Sequence, residues 1–335
     1  MIQTAIARAV QHEDLTRELA RATMEQILAG EATAAQIAAF GVALRMKGER
    51  AAEMAGMAEA LRQLVPPLRT RRSPLIDTCG TGGDSAGTFN ISTTAAIVTA
   101  SCGVAVAKHG NRAVSSRTGS ADVLESLGVR IDLTPERAGR SLDVLGLTFL
   151  FSPNYHTALQ HAAGPRREIG VRTVFNVLGP LTNPAGATRQ LLGVYSHTLV
   201  RPVAEVLHQL GSERAWVVHG RDGLDELTVF EKSDVAVLLD GEIHEMEVNP
   251  ADYGLAHTDP SDVMGGDAAV NAAKIRSVVE GHKGPARDIV TLNTGAALVV
   301  AGVVDSLADG VKRAAEAIDS GAAARKLADL VEFRG

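Results

Sequence analysis

The residues that could do chemistry concentrate in residues 77–120, DTCGTGGDSAGTFNISTTAAIVTASCGVAVAKHGNRAVSSRTGS. Two backbone-rich loops stand there, Gly80-Thr81-Gly82-Gly83-Asp84 and Lys108-His109-Gly110-Asn111-Arg112, separated by an apolar segment. Glycines let the backbone approach closely and turn through positive φ. Exposed N–H groups form anion-binding nests, and the N-terminus of a following helix adds its dipole. Thr88, Asn90, Ser92, Thr93 and Thr94 follow the first loop, and Ser115, Ser116 and Ser120 follow the second. This set suits a phosphorylated, pyrophosphate-bearing ligand, with Lys108 as a point charge for phosphate.

Each loop also has a plainer reading. The first is neither a P-loop, lacking GKS or GKT, nor a clean GxGxxG fingerprint, and alone it reads as a hydroxyl-rich helix cap. The second alone reads as a solvated surface loop. Because both follow strands, they fall at one edge of a sheet, where open α/β sheets bind ligands. Further on, Asp222-Gly223-Leu224-Asp225-Glu226 follows an apolar strand. Adjacent carboxylates at a strand end suit Mg²⁺, a hard cation that keeps several waters; without a pyrophosphate site nearby they read equally as an acidic turn. Arg166 could grip a carboxylate through two parallel hydrogen bonds, although beside Arg167 and Glu168 it also reads as surface charge. His109 and His156 read as structural residues. Cys79 and Cys102 have no metal spacing, and Cys79 reads as a small packing residue.

The elements that must position these groups follow from periodicity. Residues 14–65 predict three helices. Leu15, Leu19, Ala22 and Ile27 hold one face of the first. Thr33 and Gln36 make a capping box for the second. Met54, Met57, Ala58, Leu61 and Val65 give the third a 3.6-residue period. So small a unit has too little core to stand alone and should pack on the larger domain or on a second copy. Beyond Pro74, short strands alternate with helices, the pattern of a parallel α/β sheet. Strands are expected at 75–77, 104–107, 148–151, 191–195 and 215–219, and helices at 94–101, 120–127, 134–145 and 203–210. Residues 153–189 are polar, rich in Gly and Pro, and too long for a simple connection; they should cross to the helical unit. Runs at 227–230, 235–239 and 243–248 predict a late antiparallel section turning at Asp240-Gly241. From Asp267 onward the chain reads as helical.

Composition excludes several classes. Net charge −6 and 3% aromatic content over 335 residues argue against a nucleic-acid binder. No run approaches the ~18 apolar residues of a membrane span, and the N-terminal stretch lacks the pattern of a signal peptide. A cytoplasmic protein with reduced thiols is expected.

Four ordered segments carry a resemblance over nearly the whole chain: GTGGD with TFNIST; KHGNRAVSSRTGSADVLESLG; PNYHTALQHA followed by PRREIGVRTVFNVLGPLTNPA; and VHGRDGLDEL. In these the chain resembles the anthranilate phosphoribosyltransferase family of tryptophan biosynthesis. The resemblance implies Mg²⁺-dependent transfer of phosphoribosyl from phosphoribosyl pyrophosphate to the amine of anthranilate. It implies that Gly80, Gly83, Asp84, Thr88, Asn90, Ile91, Ser92 and Thr93 line the phosphoribosyl pyrophosphate site. Lys108, His109, Gly110, Asn111, Arg112, Ala113, Val114, Ser115, Ser116 and Ser120 would form the other wall. Gly80, Asn111 and Arg166 would contact anthranilate, Ser92, Asp225 and Glu226 would hold magnesium, and Lys108, Asp225 and Glu226 would be catalytic. Ala113 stands where relatives often carry serine; its backbone can still serve.

The fold implied is that of the nucleoside phosphorylases and their transferase relatives: a small helical domain, residues 1–70 with part of 160–190 packed on it, and a large α/β domain, residues 73–335, with a mostly parallel sheet. A homodimer through the helical domain is implied as well. A pyrimidine nucleoside phosphorylase-like enzyme and a non-enzymatic nucleic-acid-binding relative are the alternatives. The KHGN loop and the acidic pair speak for the transferase.

Overall fold

The computed structural model describes residues 1–83, 86–113 and 117–335. Four helices open the chain: α1 (Ile2–Val10), α2 (Arg17–Leu28), α3 (Ala34–Lys47) and α4 (Ala51–Arg62). The capping box at Thr33 and Gln36 is formed. Helix α1 was not expected, although Ile2, Ala5 and Ala9 are its buried stripe. Strand β1 (Ile76–Gly80), α5 (Ile91–Ser101), β2 (Val106–Gly110), α6 (Ser120–Leu127), α7 (Pro135–Leu145) and β3 (Leu147–Phe151) follow. Helix α5 starts three residues before the expected position, because the hydroxyl-rich approach is itself its first turn. Residues 152–188 hold α8 (Ser152–Tyr155), α9 (Gln160–Ile169) and α10 (Val174–Leu178). Next come β4 (Arg189–Gly193), α11 (Val200–Gln209), β5 (Arg214–Gly220), β6 (Ser233–Leu239) and β7 (Glu242–Val248). Helices α12 (Ala268–Val279), α13 (Pro285–Val300), α14 (Leu307–Asp319) and α15 (Ala322–Glu332) close the chain.

The strands form one seven-stranded sheet in the order β3-β2-β1-β4-β5-β6-β7. The first five are parallel, and β6 and β7 add an antiparallel hairpin. Its turn is at Asp240 and Gly241, with φ of 52° and 80°, the two positive values a type I′ turn requires. Residues 227–230, expected as a strand, are not one. Side chains satisfy their backbone instead: Leu227 N–H donates to Asn293 Oδ1 at 3.0 Å, Asn293 Nδ2 donates to Leu227 O at 2.8 Å, and Thr228 N–H donates to Ser233 Oγ at 3.0 Å. Leu227 and Val229 are nonetheless buried, so the apolar run marked core rather than pairing.

Because side chains alternate along a strand, each strand feeds two cores. Ile76, Val106, Phe149, Leu191 and Val218 pack with α5, α6 and α12–α15. Cys79, Leu192, Val194, Val217 and Ala236 face the other way, in one apolar cluster with α1–α4, α10 and α11. Helix α9 lies against α2 and α3, and α10 against α3 and α4. The helical layer is therefore seated on the sheet through a continuous core. Among the described residues, no helix is long and apolar enough to cross a membrane.

Candidate active site

Strands β1, β2, β4 and β5 all end in glycine, at Gly80, Gly110, Gly193 and Gly220. The chain leaves β1 for β2 on one side, and β4 lies on the other, so β1 and β4 flank the switch point of the sheet. Ligands bind outside the carboxyl ends of strands at such a point. A cleft of about 600 Å³ lies there, walled by the strand ends and by residues 152–180. That volume is within the roughly 300–1,000 Å³ of small-ligand sites.

Asp225 lies directly over the switch point. Its Oδ2 accepts from Gly82 N–H at 2.7 Å. A Cβ on Gly80 would run into the Asp225 carboxylate, and one on Gly193 into its backbone carbonyl. Both strand ends must therefore be bare for the carboxylate to reach the loop. Gly82 and Gly83, with φ of 64° and 74°, carry the loop through the left-handed region. Glu226 Oε1 accepts from Ser92 N–H at 3.1 Å, in the first turn of α5, where backbone donors lack helical partners. Asp222 is different: it accepts from Leu224 N–H at 3.3 Å and from the Thr228 hydroxyl, and so shapes the turn.

Lys108 is 3% exposed. Its Nζ donates to Thr78 O at 2.5 Å and to Ser92 Oγ at 3.3 Å. Burial pushes its pKa down, and the negative charges of Asp77, Glu226 and Asp225 oppose that. Asp77 is fully buried, and burial pushes it up to about 6 against the charge of Lys108 and hydrogen bonds from Asn183 and His109. Those bonds come from Asn183 Nδ2 at 2.7 Å and His109 N–H at 3.1 Å. Cys79 accepts from Gln190 Nε2 at 3.1 Å, and burial drives its thiol pKa well up. It stays protonated and packs, as its position suggested.

The second loop is fastened to α6. Asn111 O accepts from Ala121 N–H at 3.1 Å and Ser120 Oγ at 3.2 Å. The Arg112 guanidinium pairs with Asp122 at 2.8 Å and Glu125 at 2.5 Å, and lies 5.6 Å over the Phe151 ring. Ala113 offers its N–H to Asp122 at 3.0 Å. His109 and His156 meet edge to face at 5.1 Å on the cleft wall. Burial first, then the neighbouring His156, pushes His109 down to about 3; burial pushes His156 to about 4. Both rings are neutral at pH 7. Arg166, in the last turn of α9, has no hydrogen-bond or ion-pair partner among the described residues, and burial alone lowers its pKa.

Gly80, Gly83, Thr88, Asn90, Ile91, Ser92, Thr93, residues 108–113, Ser120, Arg166, Asp225 and Glu226 all line this one cleft. Asp84, Val114, Ser115 and Ser116 lie outside the described residues. The cleft also uses Thr118, His156, Phe175, Asn176, Gly179 and Pro180, to which sequence reasoning gave no part. Thr118 lies in the stretch 77–120, and for the others the cues were the length and Gly/Pro content of 153–189 and the segments that carry the family resemblance. Arg172 was missed as well: it lies against Gly83 and 4.8 Å over the Tyr195 ring.

A divalent cation fits this floor by its donor set. Two buried carboxylates and a serine hydroxyl are few ligands, and among the described residues no three His, Cys, Asp or Glu side chains gather. Mg²⁺ suits such a set, since it retains waters and takes the remaining oxygens from substrate phosphates.

A helical bundle seated on an α/β domain with a cleft at the switch point is the architecture of a glycosyl transferase family. The family model "Glycosyl transferase family, a/b domain" matches residues 72–324, and "Glycosyl transferase family, helical bundle domain" matches residues 3–65. The anthranilate phosphoribosyltransferase of Moorella thermoacetica is 53% identical, over 99% of this chain and 98% of that one. The crystal structure of the Thermus thermophilus anthranilate phosphoribosyltransferase superposes with a TM-score of 0.92 at 46% identity, covering 98% of each chain. The Saccharomyces cerevisiae enzyme, solved in complex with PRPP and Mg, gives 0.90 at 26% identity, covering 99% of this chain and 97% of that one. This chain belongs to the anthranilate phosphoribosyltransferase family.

Proposed function

We infer that this chain transfers the phosphoribosyl group of 5-phosphoribosyl 1-pyrophosphate to the amine of anthranilate, in a Mg²⁺-dependent step of tryptophan biosynthesis that releases pyrophosphate. The observation that carries the reading is the charge layout of the cleft. Buried carboxylates and an ammonium stand at the glycine-loop end. The Arg166 guanidinium, without a partner among the described residues, stands on the wall built by residues 152–180. One end suits a metal-bound pyrophosphate and the other a lone carboxylate.

Breaking the bond from ribose C1 to pyrophosphate builds positive charge on the sugar and negative charge on the leaving group. In our assignment Gly80, Gly83, Thr88 and residues 90–93 cradle the donor from one side, with residues 108–113 and Ser120 on the other. Loop amides and the Lys108 ammonium are preorganised toward the departing oxygens, which is electrostatic catalysis. Ser92, Asp225 and Glu226 would hold Mg²⁺, which supplies charge neutralisation on the phosphate oxygens when bound. Arg166, with Gly80 and Asn111, orients anthranilate by its carboxylate. The aromatic amine is neutral at pH 7 and its proton becomes acidic only after attack, so positioning matters more than a base. Positioning is worth at most about 7–11 kcal/mol of barrier. The neutral rings of His109 and His156 leave that wall without competing charge.

We assign the helical domain to residues 1–70, with α9 and α10 packed on it, and the α/β domain to residues 73–335. The reading includes a homodimer through the helical layer, supported by Val10 and Met46, which leave large apolar side chains exposed on α1 and α3. It also includes a cytoplasmic location, for which two unpaired cysteines speak.

The test is decay of anthranilate fluorescence with purified protein. Loss of signal should require phosphoribosyl pyrophosphate and Mg²⁺ together, and stop on adding chelator. No decay from folded protein that still binds phosphoribosyl pyrophosphate would remove anthranilate as the acceptor. A sharper prediction concerns Arg166→Ala. Loss of a charge-assisted pair should raise KM for anthranilate by roughly 30–100-fold, while KM for phosphoribosyl pyrophosphate stays within about twofold. Steady-state titration of each substrate checks it, and an equal rise in both constants would overturn the assignment.

A further inference from the structure

Four residues from distant parts of the chain close a ring of hydrogen bonds behind the two glycine loops. Asn271 Nδ2 donates to Asn90 Oδ1 at 3.0 Å, and Asn90 Nδ2 donates to Thr118 O at 3.3 Å. Thr118 Oγ1 donates to Gly266 O at 2.8 Å, and Gly266 N–H donates to Asn271 Oδ1 at 2.8 Å. The ring has one direction only. Gly266 N–H can only donate, so Asn271 must turn its Oδ1 to it and its Nδ2 to Asn90. Thr118 O can only accept, so Asn90 must turn its Nδ2 there and its Oδ1 to Asn271. The orientation of both amides is thus set by backbone groups, which is how a satisfied buried network specifies one arrangement.

The ring joins what the donor site needs joined. Asn90 is the N-cap residue of α5, on the chain that leads from the first loop into that helix, and Thr118 stands on the chain that leads from the second loop into α6. Gly266 belongs to a strap fastened to the chain between the first loop and α5 by Phe89 N–H to Val263 O at 2.9 Å and Gly265 N–H to Gly87 O at 2.7 Å. Asn271 is 1% exposed, sits in the first turn of α12, and does not line the cleft. Helix α12 packs on both α5 and α6, the helices that leave the two loops.

We propose that Asn271 is a positioning residue for the phosphoribosyl donor: through this ring it fixes the spacing of the two loops and presents the Asn90 amide to the cleft as a donor. The proposal rests on the reading of the cleft as a phosphoribosyl pyrophosphate site. Asn271→Asp keeps the shape and the bond from Gly266 N–H but cannot donate to Asn90. It is expected to raise KM for phosphoribosyl pyrophosphate about tenfold, with KM for anthranilate within about twofold, and to lower the melting temperature, because a buried carboxylate then faces Asn90 Oδ1. Thr118→Val breaks the same ring, so the double variant should be no worse than the poorer single one, because members of one network are not additive. Asn271→Ala, which removes both bonds, is the second variant if the buried carboxylate prevents folding. Unchanged KM for the donor, a parallel rise for both substrates, or multiplying effects in the cycle would each overturn the proposal. The unchanged protein is assayed alongside: its failure to turn over would strike the reaction itself, whereas its normal turnover beside an unaffected Asn271→Asp would strike only the ring.

Discussion

Replacing Asp225 by Asn and Glu226 by Gln together is expected to lower kcat/KM by about three orders of magnitude, or ~4 kcal/mol of transition-state stabilisation. These changes remove charge while keeping the size of both side chains. Gly82 N–H donates to Asp225 Oδ2 and Ser92 N–H to Glu226 Oε1, and an amide carbonyl can accept both. Asn has the size and shape of Asp, so it fits the space that the bare strand ends at Gly80 and Gly193 leave for residue 225. The first loop and the start of α5 should therefore keep their places, and the melting temperature should not fall. What goes is the affinity for Mg²⁺, so the variant should need far more metal for any residual turnover. Steady-state rates across a Mg²⁺ titration, with thermal melts on the same samples, decide it. Normal turnover at ordinary Mg²⁺ would sink the metal assignment.

The acidic pair also marks how far sequence could reach. Strand, helix and turn were legible where one local rule governs: capping at Thr33 and Gln36, helix α7 starting at Thr134-Pro135, and the hairpin turn at Asp240-Gly241. Both loops were legible because glycine and hydroxyl residues cluster in sequence. That Asp225 rather than Asp222 reaches the loop was legible only through the family resemblance, because the residue pattern alone does not say which carboxylate the Thr228 hydroxyl ties down. Residues 227–230 failed for a related reason. An apolar run is consistent with a strand or with buried irregular chain, and the partner that decides, Asn293, is 66 residues away. Arg172, Asn183 and Asn271 were invisible for the same cause: each meets a residue of the two loops or their strands from a separate element, and each is ordinary in its own neighbourhood. The strands also separate functions in a way periodicity can state but not assign. Lys108 turns to the face carrying α5, whereas Asp77 and His109 point to the opposite one, with Asn183.

Lys108→Met is the second large effect, expected to lower kcat by about 10²–10³-fold, the range seen when one preorganised donor to developing negative charge is lost. Methionine fills much of the slot between Thr78 O and Ser92 Oγ, so the variant tests the cation rather than the volume. Lys108→Arg should not restore the rate, because a planar fork does not fit a slot sized for a linear ammonium. Loss of the cation should also register in stability, with a definite sign. The Asp77 pKa is raised by burial, from an ordinary 3.8 to about 6, and Lys108 holds it from rising further. A carboxyl whose folded pKa is raised contributes stability at pH below its unfolded value, and that stability is lost as pH rises toward the folded value. In the unchanged protein this loss falls between pH 4 and 6. Without Lys108 the folded pKa climbs, and the loss continues above pH 6 by at most ~1.4 kcal/mol per unit. Lys108→Met should therefore melt nearly with the unchanged protein at pH 5 and well below it at pH 8. A deficit equal at both values would show that Asp77 does not feel this charge, and a normal kcat would remove Lys108 from the chemistry.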